Sequence, residues 1–268
     1  MSLHGAPLMY VFFETSQLET ERGFFEHAIG LPVLEIEPHL PHHRHGVVKY
    51  DAVNLILSLN WTSAGSFSTD TSDGLITVFG GNTRLANWRH HRVVSSVDAQ
   101  GLVTDIHGHH FLFSSPLPGG ERAAWPSVQE LRLMVTELSA SVAFYRDTLG
   151  LEMLGRENKT ARFATGSVTL ALEEKSTAPD GRHARYDSYL IVFYTPQIEA
   201  ARMALVERGL AFQGSRIAHS EIGATARFED PSGHRICIYE PSKECLSWSS
   251  GAKVMEIMDR AVCDAQSK

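Results

Sequence analysis

The chain has 268 residues, 43% of them apolar, a formal charge of −7 and three cysteines. That length suits two domains of ordinary size, each able to bury a core. The acidic balance, without any Lys/Arg-rich run, argues against nucleic acid and anionic membranes as partners, and no apolar run reaches the 18 residues that suggest a membrane span.

The N-terminal MSLHGAPLMYVFF lacks a charged n-region ahead of a signal core. Cys237, Cys245 and Cys263 show neither metal spacing nor a disulfide framework, so a cytoplasmic, reducing setting is expected. A first strand is predicted over Pro7–Thr15, rich in aromatic and β-branched residues. A helix follows, with Ser16 as N-cap and Glu19 three residues on, and its apolar face holds Leu18, Phe24, Phe25 and Ile29 up to Gly30. Strand-like segments at Pro32–Ile36, Gly46–Tyr50 and Val53–Leu59 complete a βαβββ unit. After a Ser/Thr/Gly-rich loop (60–74) a less regular pass begins: a strand at Leu75–Phe79, a short helix at Thr83–His91, and strands within Val93–Ser114. The Pro/Gly-rich 116–127 segment is the best domain boundary.

The second half repeats the first. Leu18, Phe24, Phe25, Gly30 and Leu31 recur as Leu138, Phe144, Tyr145, Gly150 and Leu151, each 120 residues on, which argues for one unit folded twice. Strands are predicted at Val128–Thr136, Glu152–Leu154, Ala161–Thr165 and Val168–Glu173 around a helix at Ser139–Leu149. A last unit has strands at Tyr189–Thr195, Ala211–Gln213, Ala224–Glu229 and Arg235–Glu240 around a helix at Gln197–Arg208. The turns Asp105–Gly108 and Asp230–Gly233 are counterparts. A tail helix over about 250–262 carries an apolar stripe of Val254, Ile257, Met258, Ala261 and Val262, which fits packing on its own domain or a homodimer contact equally well.

The segments SVAFYRDTLGLEML (141–154) and FEDPSGHRICIYEP (228–241), and more loosely GFFEHAIGLPVL (23–34) and DIHGHHFLF (105–113), resemble the vicinal oxygen chelate superfamily of glyoxalases, bleomycin resistance proteins and extradiol dioxygenases. The resemblance implies an α+β fold of two tandem domains and four βαβββ modules, each pair of modules curling a sheet around a ligand cup. The expected boundaries are 1–115 for a degenerate first domain, 128–241 for the second and 242–268 for the tail. The family's common chemistry uses a divalent metal held by His, Glu or Gln on four strands. Carried over, those positions fall on Glu130, about Ala171, about Leu190 and Cys237 in the second half, and on Tyr10, about Ile56, about Leu75 and Leu112 in the first. No metal and no other cofactor is therefore expected at these positions. A divalent Fe, Zn, Ni or Mn belongs to the alternative reading, a lyase, isomerase or extradiol-type dioxygenase with an atypical site.

Strand parity, with alternate residues facing a cup, gathers Glu130, Arg132, Arg235, Cys237 and Tyr239 over a floor of Ala171, Leu190 and Val192. Glu130 and Cys237 are the catalytic candidates, as general base and thiol. Arg132 and Arg235 would clamp an anion, with Tyr239 and Leu190 as further ligand contacts. The plain alternatives are a Glu130–arginine salt bridge and a buried, inert cysteine. Tyr10 and Phe12 form either an aromatic slot in the first cup or a filled core. The histidine-rich loop PHLPHHRHG and His107, His109 and His110 read as surface or structural residues, since a hairpin tip lacks the support of a metal site. The function expected is binding of a hydrophobic small molecule, anionic where the arginines are used, in the second cup and without the usual metal.

Overall fold

The computed structural model describes residues 3, 6–37, 46–62, 74–80, 91–113, 126–175 and 188–266, with side chains to 261. The first module runs β1 (Leu8–Thr15), α1 (Leu18–Gly23), β2 (Val33–Glu37), β3 (Val47–Asp51) and β4 (Ile56–Trp61). The second contributes β5 (Leu75–Gly80), β6 (Val94–Val97), β7 (Leu102–Asp105) and β8 (His110–Phe113). The helix expected over 83–91 falls outside the described residues except for His91, which is not helical. The third has β9 (Ser127–Val135), α2 (Leu138–Ala143), β10 (Glu152–Glu157), β11 (Thr160–Ala164) and β12 (Thr169–Glu174). The fourth has β13 (Tyr189–Tyr194), α3 (Ile198–Glu207), β14 (Gln213–Ser220), β15 (Gly223–Glu229) and β16 (Arg235–Pro241), followed by α4 (Lys243–Leu246) and α5 (Ser249–Gln266). No described helix is long and apolar enough to cross a membrane.

The repeated helices share one design. Each continues into a π-helical turn, Phe24–Ile29 and Phe144–Thr148. Each is stopped by a left-handed glycine, Gly30 at φ +89° and Gly150 at φ +77°, where a Cβ would be strained. Their starts differ from the expectation. The N-cap of α1 is Gln17, not Ser16, and it makes no side-chain cap. Thr15 Oγ1 accepts the Gln17 N–H at 3.0 Å instead, and Glu19 turns to Arg22. In α2 the Glu137 carboxylate accepts from the Ser139 and Ala140 N–H groups.

Two eight-stranded sheets result, ordered β14-β15-β16-β13-β1-β4-β3-β2 and β10-β11-β12-β9-β5-β8-β7-β6. The first sheet joins the first module to the fourth; the second joins the second to the third. This corrects the expectation that consecutive modules share a cup. The joints are antiparallel: Tyr10 faces Val192 and Phe12 faces Leu190 across β1–β13, while Val78 faces Glu130 and Ile76 faces Arg132 across β5–β9. Local pattern cannot choose between β5 and β13 as the neighbour of β1. Long-range contacts accompany the choice: the halves are laced by Leu8 N–H to Thr165 O (3.0 Å), Val128 N–H to Ala52 O (3.1 Å) and Glu14 N–H to Ser188 O (2.9 Å).

The faces opposite the cups, with α1 and α2, contribute to one apolar core. Phe24 and Phe25 are fully buried and lie 5.8 and 5.7 Å, between ring centroids, from Phe111 of the other sheet. Tyr145 is fully buried and donates to Asp230 Oδ2 at 3.0 Å. Phe144 is only half-buried, against Phe228. The counterpart turns are built alike. Asp105 Oδ1 accepts from the His107 and His109 N–H groups, and Asp230 Oδ1 accepts from those of Ser232 and His234. His109 and His234 then tie the two sheets together, through Ser188 O and Met134 O. These histidines are buried structural ties, whereas His39, His42, His43 and His45 lie outside the described residues.

Candidate functional site

The cup of the first sheet holds a cavity of about 270 Å3, lined from both halves of the chain. Alternation on β1 sends Tyr10, Phe12 and Glu14 inward; β13 supplies Leu190 and Val192, and β16 supplies Arg235, Cys237 and Tyr239. Thr225 and Arg227 come from β15, Lys49 from β3 and Glu37 from β2. Tyr10 and Phe12 stack with centroids 5.5 Å apart, and Tyr239 meets Tyr10 edge-on at 6.3 Å. Five of the six expected ligand contacts therefore line one cavity: Tyr10, Phe12, Leu190, Arg235 and Tyr239. The aromatic slot assigned to the first cup and the Arg235–Tyr239 face assigned to the second are the same place.

The tail closes one side of this cup in cis. Val254 and Ile257 are buried in the cluster that contains Met9, Tyr10 and Ile56. Glu35 Oε2 accepts from Ser250 N (3.2 Å) and Ser250 Oγ (2.8 Å), so a carboxylate sits at the N-terminus of α5, where the helix dipole favours it. Lys49 Nζ is shared by Glu35 (3.3 Å) and Glu37 (2.5 Å), and Lys253 pairs with Asp51 at 2.9 Å. Cys245 of α4 completes the wall, accepting from Tyr239 OH at 3.3 Å.

Burial governs the ionisable groups here. It pushes the Cys237 thiol up to about 11, against a smaller opposing pull from Arg227. The thiol is thus protonated at neutral pH and unsuited to nucleophilic attack. Burial first, then Cys245, raises the Tyr10 phenol well above its ordinary range, and burial does the same to Tyr239.

Glu130 and Arg132 lie in the other cup. There Glu130 Oε1 accepts from Arg132 Nε (3.0 Å) and Nη2 (2.8 Å), and its Oε2 accepts from Arg162 Nε at 3.3 Å. Arg132 also meets Glu173 at 3.1 Å. Both Glu130 oxygens are engaged, the salt-bridge arrangement rather than a free base, and neither residue approaches Arg235 or Cys237 as parity within one cup had suggested.

The donor set does not fit a divalent metal. Register places Tyr10, Ile56, Val192 and Cys237 at the centre of the first sheet. Glu130, Thr169, Val78 and Leu112 take the matching places in the second. Leu75 faces the core instead, opposite Leu133. Among the described residues no three His, Cys, Asp or Glu side chains gather to hold an ion. Sequence reasoning passed over Arg227, Lys49 and Cys245. Arg227 was within reach of parity, since it lies directly opposite Cys237.

Paired βαβββ modules and two cupped sheets define a fold class. Residues 127–238 match the model of the Glyoxalase/Bleomycin resistance protein/Dioxygenase superfamily. The metallothiol transferase FosB of Lysinibacillus sphaericus is 28% identical over 112 residues, covering 41% of this chain and 79% of that protein. FosB of Staphylococcus saprophyticus is 28% identical over 113 residues, covering 41% and 74%. Glyoxalase I of Zea mays superposes with a TM-score of 0.65 over 94% of this chain and 95% of its own, at 16% identity. A putative dioxygenase of Bacillus subtilis gives 0.60 over 88% and 85%, at 12%. The chain has the fold of tandem glyoxalase-type domains, and its residues 127–238 are the segment that the superfamily model matches.

Proposed function

We propose that this protein binds a hydrophobic small molecule, carrying an anionic group, in the cup formed by the first and fourth modules, without the metal usual in its superfamily. The single observation that carries the reading is the cavity itself. Its lining joins aromatic and aliphatic side chains to a few convergent polar groups, the general make-up of a ligand site. Its central positions, Tyr10, Ile56, Val192 and Cys237, offer no ligand set.

A second reading is a metal-dependent lyase, isomerase or dioxygenase. Its support is the likeness to proteins named metallothiol transferase and glyoxalase I. Elemental analysis of the untagged protein separates the two. The binding reading expects no stoichiometric iron, zinc, nickel or manganese; one equivalent of any of them, lost on substituting cup residues, would overturn it.

A further inference from the structure

The central positions of the first sheet are sealed: Tyr10, Ile56, Val192 and Cys237 are at most 3% exposed. At the matching places of the second sheet, Glu130, Thr169 and Leu112 are only half-buried. The cavity does not account for this difference, since it is lined by Tyr10, Val192 and Cys237 but not by Ile56. Ile56 lies instead in an apolar cluster with Met9, Val254 and Ile257. Val254 and Ile257 stand three residues apart, on one face of α5. Lys253 to Asp51 (2.9 Å) and Arg260 Nη2 to Val53 O (3.2 Å) hold the helix to the β3–β4 turn. The tail thus takes one part of the cup, and the cavity is the part that remains.

Resting on the binding reading above, we infer that the tail helix sets the size of the guest, acting through two tyrosines. Tyr10 and Tyr239 are the largest buried side chains that both line the cavity and belong to the tail's cluster. They meet edge-on at 6.3 Å and form the wall between the two. The Tyr10 hydroxyl meets Ser250 at the start of α5. Tyr239 OH donates to Ile222 O at 2.5 Å and lies 3.3 Å from Cys245 Sγ of α4. With close-packed side chains behind them, neither ring can retreat to enlarge the cavity. Its volume of about 270 Å3 is just below the usual ~300–1,000 Å3 of small-molecule sites. The guest class is therefore a single-ring or similarly compact apolar body. A polycyclic body is excluded, although its greater apolar area would otherwise favour burial. Ile257 is a positioning residue here: it braces the wall and does not line the cavity.

Calorimetry with phenylacetate and 1-pyrenylacetate, which share a carboxylate and differ in ring area, tests this on the full chain. Wild type should bind phenylacetate roughly tenfold or more tighter, the scale on which a fixed apolar pocket discriminates by size. Tyr10→Leu thins the wall, and Ile257→Ala gives Tyr10 room to settle toward the tail. Each should shift the ratio of the two affinities toward the larger acid, by about tenfold for the first and severalfold for the second. A merely structural defect would weaken both acids together and leave the ratio unchanged. If Ile257→Ala unseats α5, seen as fast amide exchange along the helix, the vacated part of the cup gives the same shift. Pyrenylacetate binding wild type as tightly as phenylacetate, or an unchanged ratio in either variant, overturns the tail's role while the cavity reading stands. Failure of both acids to bind wild type at millimolar concentration overturns the size limit and the cavity reading together.

Discussion

Where β1 of the first sheet presents Tyr10 and Phe12 to its cup, β9 of the second presents Glu130 and Arg132, 120 residues on. The remaining central strands diverge in the same way: Arg235 and Cys237 in one cup correspond by register to His110 and Leu112 in the other. Stacked rings cannot saturate one another, so they leave a wall on which a guest can lie. A carboxylate between two guanidiniums saturates itself. The same repeated strand thus lines an open aromatic wall in one cup and a closed ion-pair network in the other, and the tail helix packs beside the first.

The largest effect is expected in the shared core. Phe25→Ala should cost about 3–5 kcal/mol of unfolding free energy in urea, since Phe25 is fully buried. Phe144→Ala, at the half-buried counterpart of Phe24, should cost roughly half as much. Equal losses would mean that the two helices are seated alike.

Next comes the tail. A Cβ on Gly251 would lie 2.3 Å from Cys245 O and 2.4 Å from Leu246 Cα. Gly251→Ala should therefore cost about 1–3 kcal/mol and weaken phenylacetate binding by opening the wall that α4 supplies. Full retention of both would show that the roof is not part of the site.

A third contrast concerns Glu21, buried with both carboxylate oxygens lacking a hydrogen bond, where the other half has Ser141. Desolvation first, and then Asp105, raises the Glu21 pKa well above its ordinary value, and His107 Nε2 lies 3.7 Å away. Burial lowers the His107 pKa. A carboxyl raised in the folded state contributes fully below the unfolded value of about 4.3. That contribution is lost as pH rises through the folded pKa, at about 1.4 kcal/mol per unit in between. Glu21→Gln should flatten the melting temperature against pH in that window. An unchanged profile would place the sensitivity elsewhere.

The smallest effect is expected in the second cup. Arg132→Gln should change stability by no more than about 1 kcal/mol, because the ion pairs are partly exposed. It should also leave phenylacetate binding intact. Lost binding would return the site to Glu130 and Arg132.

Much of this architecture was legible from spacing. The common offset of 120 fixed the two helices and their glycine stops, and strand parity put Tyr10 with Phe12, and Arg235 with Cys237 and Tyr239, on cup-facing sides. What parity cannot carry is which strands become neighbours. β1 presents the same unpaired edge to β5 and to β13, and loop closure costs grow too slowly with length to decide between them. Hence Arg132 was grouped with Arg235, although they belong to different sheets. The tail's placement was hidden for a similar reason: its apolar stripe fits any apolar face, and the polar clasp of Glu35, Lys49 and Ser250 joins residues some 200 positions apart.

The most direct test of the central claim is methyl-resolved NMR during titration with phenylacetate. Leu190, Val192 and Ile222, which line the first cup, should shift, and Ile76, Val78 and Leu112 in the second should not. Shifts confined to Ile76, Val78 and Leu112 would contradict the claim that the guest sits where the first and fourth modules meet.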